Sequence, residues 1–129
     1  MIGSNAFNYI NVLNKAASAS WKRNEVIANN IANVDTPGYK RKDVQFQSYL
    51  QSALLGDNSL DSRIADANMD QLEATVYTDN ASLSYRMDGN NVDIDTESAK
   101  LAENQIRYQA LLESMTQEFS RIKAVLAAR

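Results

Sequence analysis

The chain has 129 residues, with 13 Lys and Arg against 16 Asp and Glu, and neither His nor Cys. Those two absences exclude His-based acid/base pairs, Ser-His-Asp triads, thiol nucleophiles, disulfide frameworks and the usual zinc sites. With four Gly and one Pro there is no GxGxxG or Walker-type phosphate loop, so a nucleotide enzyme is not expected, and no catalytic, cofactor or metal residue is assigned.

No apolar run approaches the roughly 20 residues that span a bilayer. The N-terminus has no basic region before Lys15 and no continuous apolar core. It therefore does not read as a cleavable secretory peptide, and the expectation is a cytosolic protein or one exported with its N-terminus uncleaved. Charge divides the chain in three: residues 1–42 carry +4, residues 43–97 carry −9 and residues 98–129 carry +2. Lys40, Arg41 and Lys42 beside Tyr39 form one basic triplet in a chain of pI near 4.9. That is a weak footprint for nucleic acid, and the triplet reads as a solvated turn, with no nucleic-acid partner.

From Ser4 to Val34 there is neither Pro nor Gly, and apolar or small residues recur at Phe7, Ile10, Leu13, Ala17, Ser20, Ile27, Ile31 and Val34. Those steps describe one face of a helix. Asn5, Asn8, Asn11 and Asn14 form a second stripe, and Asn is a poor helix former. Either that stripe is solvated or its amides bond to neighbouring chains, and in both cases the isolated helix is marginal.

A turn follows. The residue before Pro is pushed out of the helical region, and Thr36-Pro37-Gly38-Tyr39 places Pro and Gly where a type II turn wants them. Asn33 is the expected left-handed cap of the helix. Beyond it, Val44 and Phe46 alternate with polar neighbours as in a strand, and Tyr49 to Leu55 suggests a short helix stopped at Gly56. Residues 57–75 are acidic and sparse in large apolar groups, the composition of a mobile loop. Leu83 to Met87, Asp88-Gly89 and Asn90 to Ile94 have the pattern of a hairpin with an Asp-Gly turn. Asp88, Asn90, Asp93, Asp95 and Glu97 fail the EF-hand register, which needs a Gly at its sixth position.

The C-terminal stretch is the most regular. Ile94, Ser98, Leu101, Gln105, Tyr108, Leu112, Met115, Phe119, Ile122 and Leu126 alternate steps of four and three, a heptad seam. Asp95 or Thr96 is the expected cap, and Glu97 suits the positive helix start. Ala102, Ile106, Leu111 and Val125 widen the stripe beyond what one partner helix can cover.

These elements define a mainly α fold in three parts: an N-terminal helix in 1–34, a turn, loop and small β region in 35–95, and a C-terminal helix in 96–129. The two helices pair as an antiparallel hairpin or coiled coil around an irregular acidic middle with a short β-hairpin. A lone hairpin cannot bury two wide faces, so an oligomer or filament is expected, its ends ordering on association.

Ala28-Asn29-Asn30-Ile31-Ala32-Asn33-Val34-Asp35-Thr36-Pro37-Gly38-Tyr39-Lys40 resembles the N-terminal motif of bacterial flagellar rod and hook proteins. Asp88-Gly89-Asn90-Asn91-Val92-Asp93-Ile94-Asp95, leading into residues 99–110, is similar to the proximal rod members of the B type. The resemblance implies a structural subunit of the basal-body rod whose terminal helices build a tube, exported through the flagellar type III apparatus and assembled near the membrane-embedded ring. Its implied partners are copies of itself, other rod proteins, the junction protein at the ring end and the export apparatus. Carried onto this chain, Asn29, Asn30, Ile31, Ala32 and Asn33 close the first helix, and Thr36, Pro37, Gly38 and Tyr39 turn the chain outward. Leu101, Tyr108, Leu112, Met115, Phe119, Ile122 and Leu126 form the helix seam. The alternative is a soluble helical adaptor or secretion chaperone, which predicts a monomer or closed dimer with a folded core; a carboxylate-pair hydrolase has only scattered acids in its favour.

Overall fold

A computed structural model describes residues 2–56, 59–80 and 86–128, with side chains from Phe7 onward. Two long helices frame the molecule: α1 (Ile2–Ala32, 31 residues) and α4 (Ile94–Ala127, 34 residues), each close to 50 Å long at about 1.5 Å per residue. Between them come β1 (Lys42–Gln45), α2 (Gln47–Leu54), α3 (Leu60–Asp66), a 3-10 turn (Met69–Gln71) and β2 (Thr75–Thr78). The helices run antiparallel, since Glu97 of α4 meets Asn30 of α1, Asn104 meets Ser20 and Asn24, and Tyr108 meets Trp21. The expected hairpin of terminal helices is present.

The small sheet lies in the middle segment. β1 pairs antiparallel with β2 in the register Lys42 to Thr78 and Gln45 to Thr75. The strand expected around Val44 is β1, and its partner comes from 30 residues downstream. Of the hairpin pattern read at 83–94, Leu83 to Tyr85 lie outside the described residues. Asp88-Gly89 does form a turn, with Gly89 at φ +79°, but residues 86–93 form no strand and lead straight into α4.

The stretch read as a mobile loop is largely structured. Ser59 caps α3 by accepting from the Ser62 N–H, and Ile64 and Leu72 are buried. Leu72 joins Ala19 and Phe46 in the core, with Ala16, Val44, Leu50, Ala53, Met69 and Ala74 packed around them. Lys15 pairs with Glu73 at 2.5 Å, and the Tyr9 hydroxyl donates to Asp61. The middle segment thereby covers one flank of the hairpin.

Two cap assignments change. α4 begins at least two residues earlier than read: Asp93 is its cap, accepting from the Asp95 N–H at 3.1 Å and the Thr96 hydroxyl at 2.9 Å. Those two donors, the hydroxyl foremost, hold the Asp93 carboxyl below its usual range. Asn33 is not left-handed, because no described non-Gly residue has positive φ; it still meets the end of α1, its N–H donating to the carbonyls of Asn29 (3.1 Å) and Asn30 (3.2 Å) while the Val34 N–H donates to Ile31 (3.2 Å).

Candidate functional site

The residues of the N-terminal motif converge with those of the second motif at the elbow where α1 ends and α4 begins. Asn30 is fully buried and satisfied on both ends of its amide. Its Nδ2 donates to the Lys42 carbonyl (2.7 Å) and to Glu97 (3.1 Å), while its Oδ1 accepts from the Lys42 N–H (2.9 Å) and the Tyr39 hydroxyl (3.1 Å). One side chain thus ties α1 to β1 and α4. Burial, then the negative charge of Glu97, pushes the Tyr39 hydroxyl above its usual pKa, so it stays a donor to Asn30.

The chain reverses as expected at Thr36 to Tyr39. The Tyr39 N–H donates to the Thr36 carbonyl at 3.2 Å, and Gly38 sits at φ +71° after Pro37, the type II arrangement. Gly38 N–H donates to the Asp88 carbonyl at 2.7 Å. Asn90, buried to 1% exposure, points its amide at the carbonyls of Asn33, Val34 and Thr36, all within 2.9–3.0 Å. These carbonyls belong to the turn that follows α1; those of Asn33 and Thr36 also take the Thr36 and Tyr39 N–H groups, and Arg86 donates to the Val34 carbonyl. Asn33 braces the turn locally, its amide donating to the Asn29 carbonyl at 2.8 Å and its Oδ1 accepting from Thr36. Of the remaining motif residues, Asn29, Ala32 and Pro37 are exposed and Ile31 is half-buried.

Arg41, read as part of a solvated turn, is instead a buried hub. Its guanidinium reaches Glu97 (2.5 Å), Asp79 (2.5 Å) and Asp43 (3.1 Å), and Arg23 adds a second cation on Asp43 at 3.0 Å. Burial alone would lower the Arg41 pKa, but Glu97, Asp43 and Asp79 outweigh it and raise it further. For Asp43, burial would raise the carboxyl; the Val44 N–H, Arg41 and Arg23 together hold it below its ordinary value. Asn91 closes the joint, accepting from the Arg41 N–H (2.7 Å) and donating to the Asp79 carbonyl (2.8 Å). Sequence reasoning missed Arg41, Asp43 and Asp79 as a site. The available signal was the excess of acid in the middle segment against basic ends, which an internal ion cluster uses in part. From the sequence, Asn90 and Asn91 stand out as motif residues and Glu97 as a helix-start charge, with Asn90 and Glu97 also in the acidic run that fails the EF-hand register.

The seam of α4 divides. The stripe turned inward runs Glu97, Leu101, Asn104, Tyr108, Leu111, Met115, Glu118 and Ile122, all buried or half-buried. Four of the seven seam residues, Leu101, Tyr108, Met115 and Ile122, belong to it. Leu112 (40% exposed), Phe119 (51%) and Leu126 (57%) do not. Leu112 lines a groove of about 380 Å³ between α1 and α4, with Ala17, Ser18, Trp21, Tyr108 and Met115. Trp21, itself exposed, tilts against Tyr108 with ring centres 5.7 Å apart.

Fold and surface together define a helical-hairpin protein locked at one end by a polar joint and apolar along an open flank. Residues 10–40, most of α1 and the elbow turn, match the family described as flagella basal body rod protein. The flagellar basal body rod protein FlgB of Bacillus subtilis is 42% identical over 116 residues, which is 88% of this chain and 89% of that protein. FlgB of Escherichia coli K12 is 34% identical over 121 residues (87% and 88%), and that of Borrelia hermsii 35% over 114 residues (81% and 84%). The chain belongs to the FlgB family of flagellar basal body rod proteins.

Proposed function

We propose that this protein is a structural subunit of the proximal flagellar rod, polymerising through α1 and α4 so that the assembled helices transmit torque and line the export channel. The observation that carries the reading is the exposed row Leu112, Phe119 and Leu126 on α4, with Phe7 and Trp21 also exposed on α1. Large apolar side chains on the open flank of a two-helix unit are surface that association removes from water. The joint holds the two helices at a fixed angle to the middle segment, which suits a part repeated in an assembly. The partners are further copies of this chain, other rod proteins and the junction protein at the ring end, after passage through the type III export apparatus with the N-terminus uncleaved. It works in the cell envelope outside the cytoplasmic membrane; no described helix is long and apolar enough to cross one.

The test is complementation of a strain lacking the protein. Leu112→Asp with Phe119→Asp places charge where neighbours pack, at several kcal/mol per site before relaxation. The expected result is a cell that makes the protein but does not swim. Normal motility halos and basal-body yield would refute the proposal.

A further inference from the structure

α4 carries two candidate rows for its contact with α1, and the hairpin uses the less apolar one. Both rows flank the shared positions Leu101, Tyr108, Met115 and Ile122. On one side stand Glu97, Asn104, Leu111 and Glu118; on the other stand Ser98, Gln105, Leu112, Phe119 and Leu126. Burial of apolar surface alone would roll α4 so that Leu112, Phe119 and Leu126 meet α1. The structure shows the reverse: Glu97 and Asn104 are each 1% exposed, while Leu112, Phe119 and Leu126 face outward.

The polar pair makes bonds available in that rotation only. Glu97 takes Arg41 and Asn30. Asn104 donates across the helix interface to the Ser20 carbonyl at 2.7 Å and the Asn24 side chain at 2.8 Å, leaving its own Oδ1 buried without a hydrogen-bond partner. A buried acceptor left unmet opposes folding. A buried Asn in a helix interface is the recognised means of choosing one packing over its competitors at a cost in stability. We infer that Glu97 and Asn104 act as a rotational key, fixing the roll of α4 so that the chain cannot bury its own assembly row and must present it to a second copy. This rests on the reading of the protein as an assembling subunit and adds what keeps its contact face available.

The chain has no Cys, so single cysteines report the roll directly. Leu111→Cys and Leu112→Cys occupy neighbouring positions on one turn, and fraying exposes both alike. In the otherwise unaltered purified chain, maleimide labelling is expected to be about tenfold faster at 112 than at 111. With Asn104→Leu added, and to a lesser degree with Asn104→Ala, the ratio falls toward one or inverts while the circular dichroism of the helices is kept. An unchanged ratio in both variants overturns the inference. So does loss of helix in both, which would make Asn104 a residue the fold needs and not a chooser between packings, and so does equal labelling in the unaltered chain. Motility is scored separately. A normal 112-to-111 preference in a chain whose Leu112→Asp, Phe119→Asp form still swims leaves the key standing and refutes the rod-subunit reading.

Discussion

Removing the guanidinium from the elbow is the most severe single change the joint can receive. Arg41→Met leaves Glu97 at 1% and Asp43 at 10% side-chain exposure, with Asp79 alongside, short of the cation that three carboxylates share. Breaking a buried ion pair from one side costs about 3–5 kcal/mol, a large fraction of the roughly 5–15 kcal/mol that holds a domain folded. At a slope of about 1–3 kcal/mol per molar urea, the midpoint falls by roughly 2 M. Glu97→Gln is the milder partner, since the amide oxygen still accepts from Arg41, and in the double variant the two losses are less than additive. Urea titration followed by circular dichroism measures all three chains. The pH dependence has a defined sign: the Asp43 carboxyl titrates below its ordinary value when folded, so its contribution is complete above about pH 4 and is lost as pH falls through the folded value. Asp43→Asn should flatten the acid limb of the stability curve. A loss under about 0.5 kcal/mol for Arg41→Met, the size of an ordinary surface substitution, would refute the buried-hub account.

Gly38 at φ +71° has open space where a side chain would stand, so substitution is felt only through the backbone: Gly38→Val should cost about 1–2 kcal/mol or more and Gly38→Asn much less, read as a contrast in motility halos and basal-body yield at matched expression. Asn90→Ala removes a donor shared by three carbonyls of the turn after α1 and should lower stability by about 1–3 kcal/mol, with exchange of the amides around residues 33–36 accelerating first. Hydrogen exchange of the purified chain should be slowest near Asn30 and residues 97–104 and fastest at 2–9 and 119–127, far from the joint. Uniform protection along α1 and α4 would contradict that gradient.

The two long helices were legible because their period is long and uninterrupted, and the elbow turn because Pro37 and Gly38 leave few alternatives. What escaped was non-local. Arg41 sits in a basic triplet that looks solvated, and its partners Asp43, Asp79 and Glu97 are spread over 54 residues of chain, so no local pattern announces the cluster. The anchoring of the turn after α1 escaped for the same reason: Asn33 meets the helix end, though without a left-handed backbone, and the amide that gathers the carbonyls of Asn33, Val34 and Thr36 arrives from Asn90. The order of 59–75 was hidden by composition, since large apolar residues are few there, yet Ile64 and Leu72 are buried and Met69 and Ala74 pack against the core. On α4 three of the seven seam residues, Leu112, Phe119 and Leu126, lie outside the buried stripe, because periodicity ranks rows by apolarity and cannot see hydrogen bonds across to α1.

That last failure bears on how the molecule divides its labour. The inward faces of α1 and α4 differ: α1 buries Ile10, Ala17 and Ile27, whereas the residues that α4 buries fully are Glu97 and Asn104, and apolar contact alone does not select one packing over its neighbours. Specificity must come from somewhere else in the hairpin, and the joint supplies it: Asn30, Arg41, Asn90 and Glu97 have bonding geometries that only one arrangement meets. With the geometry fixed by polar groups at one end, the large apolar side chains farther along are left for neighbours. A subunit with those residues turned inward would be the more stable monomer and the poorer building block.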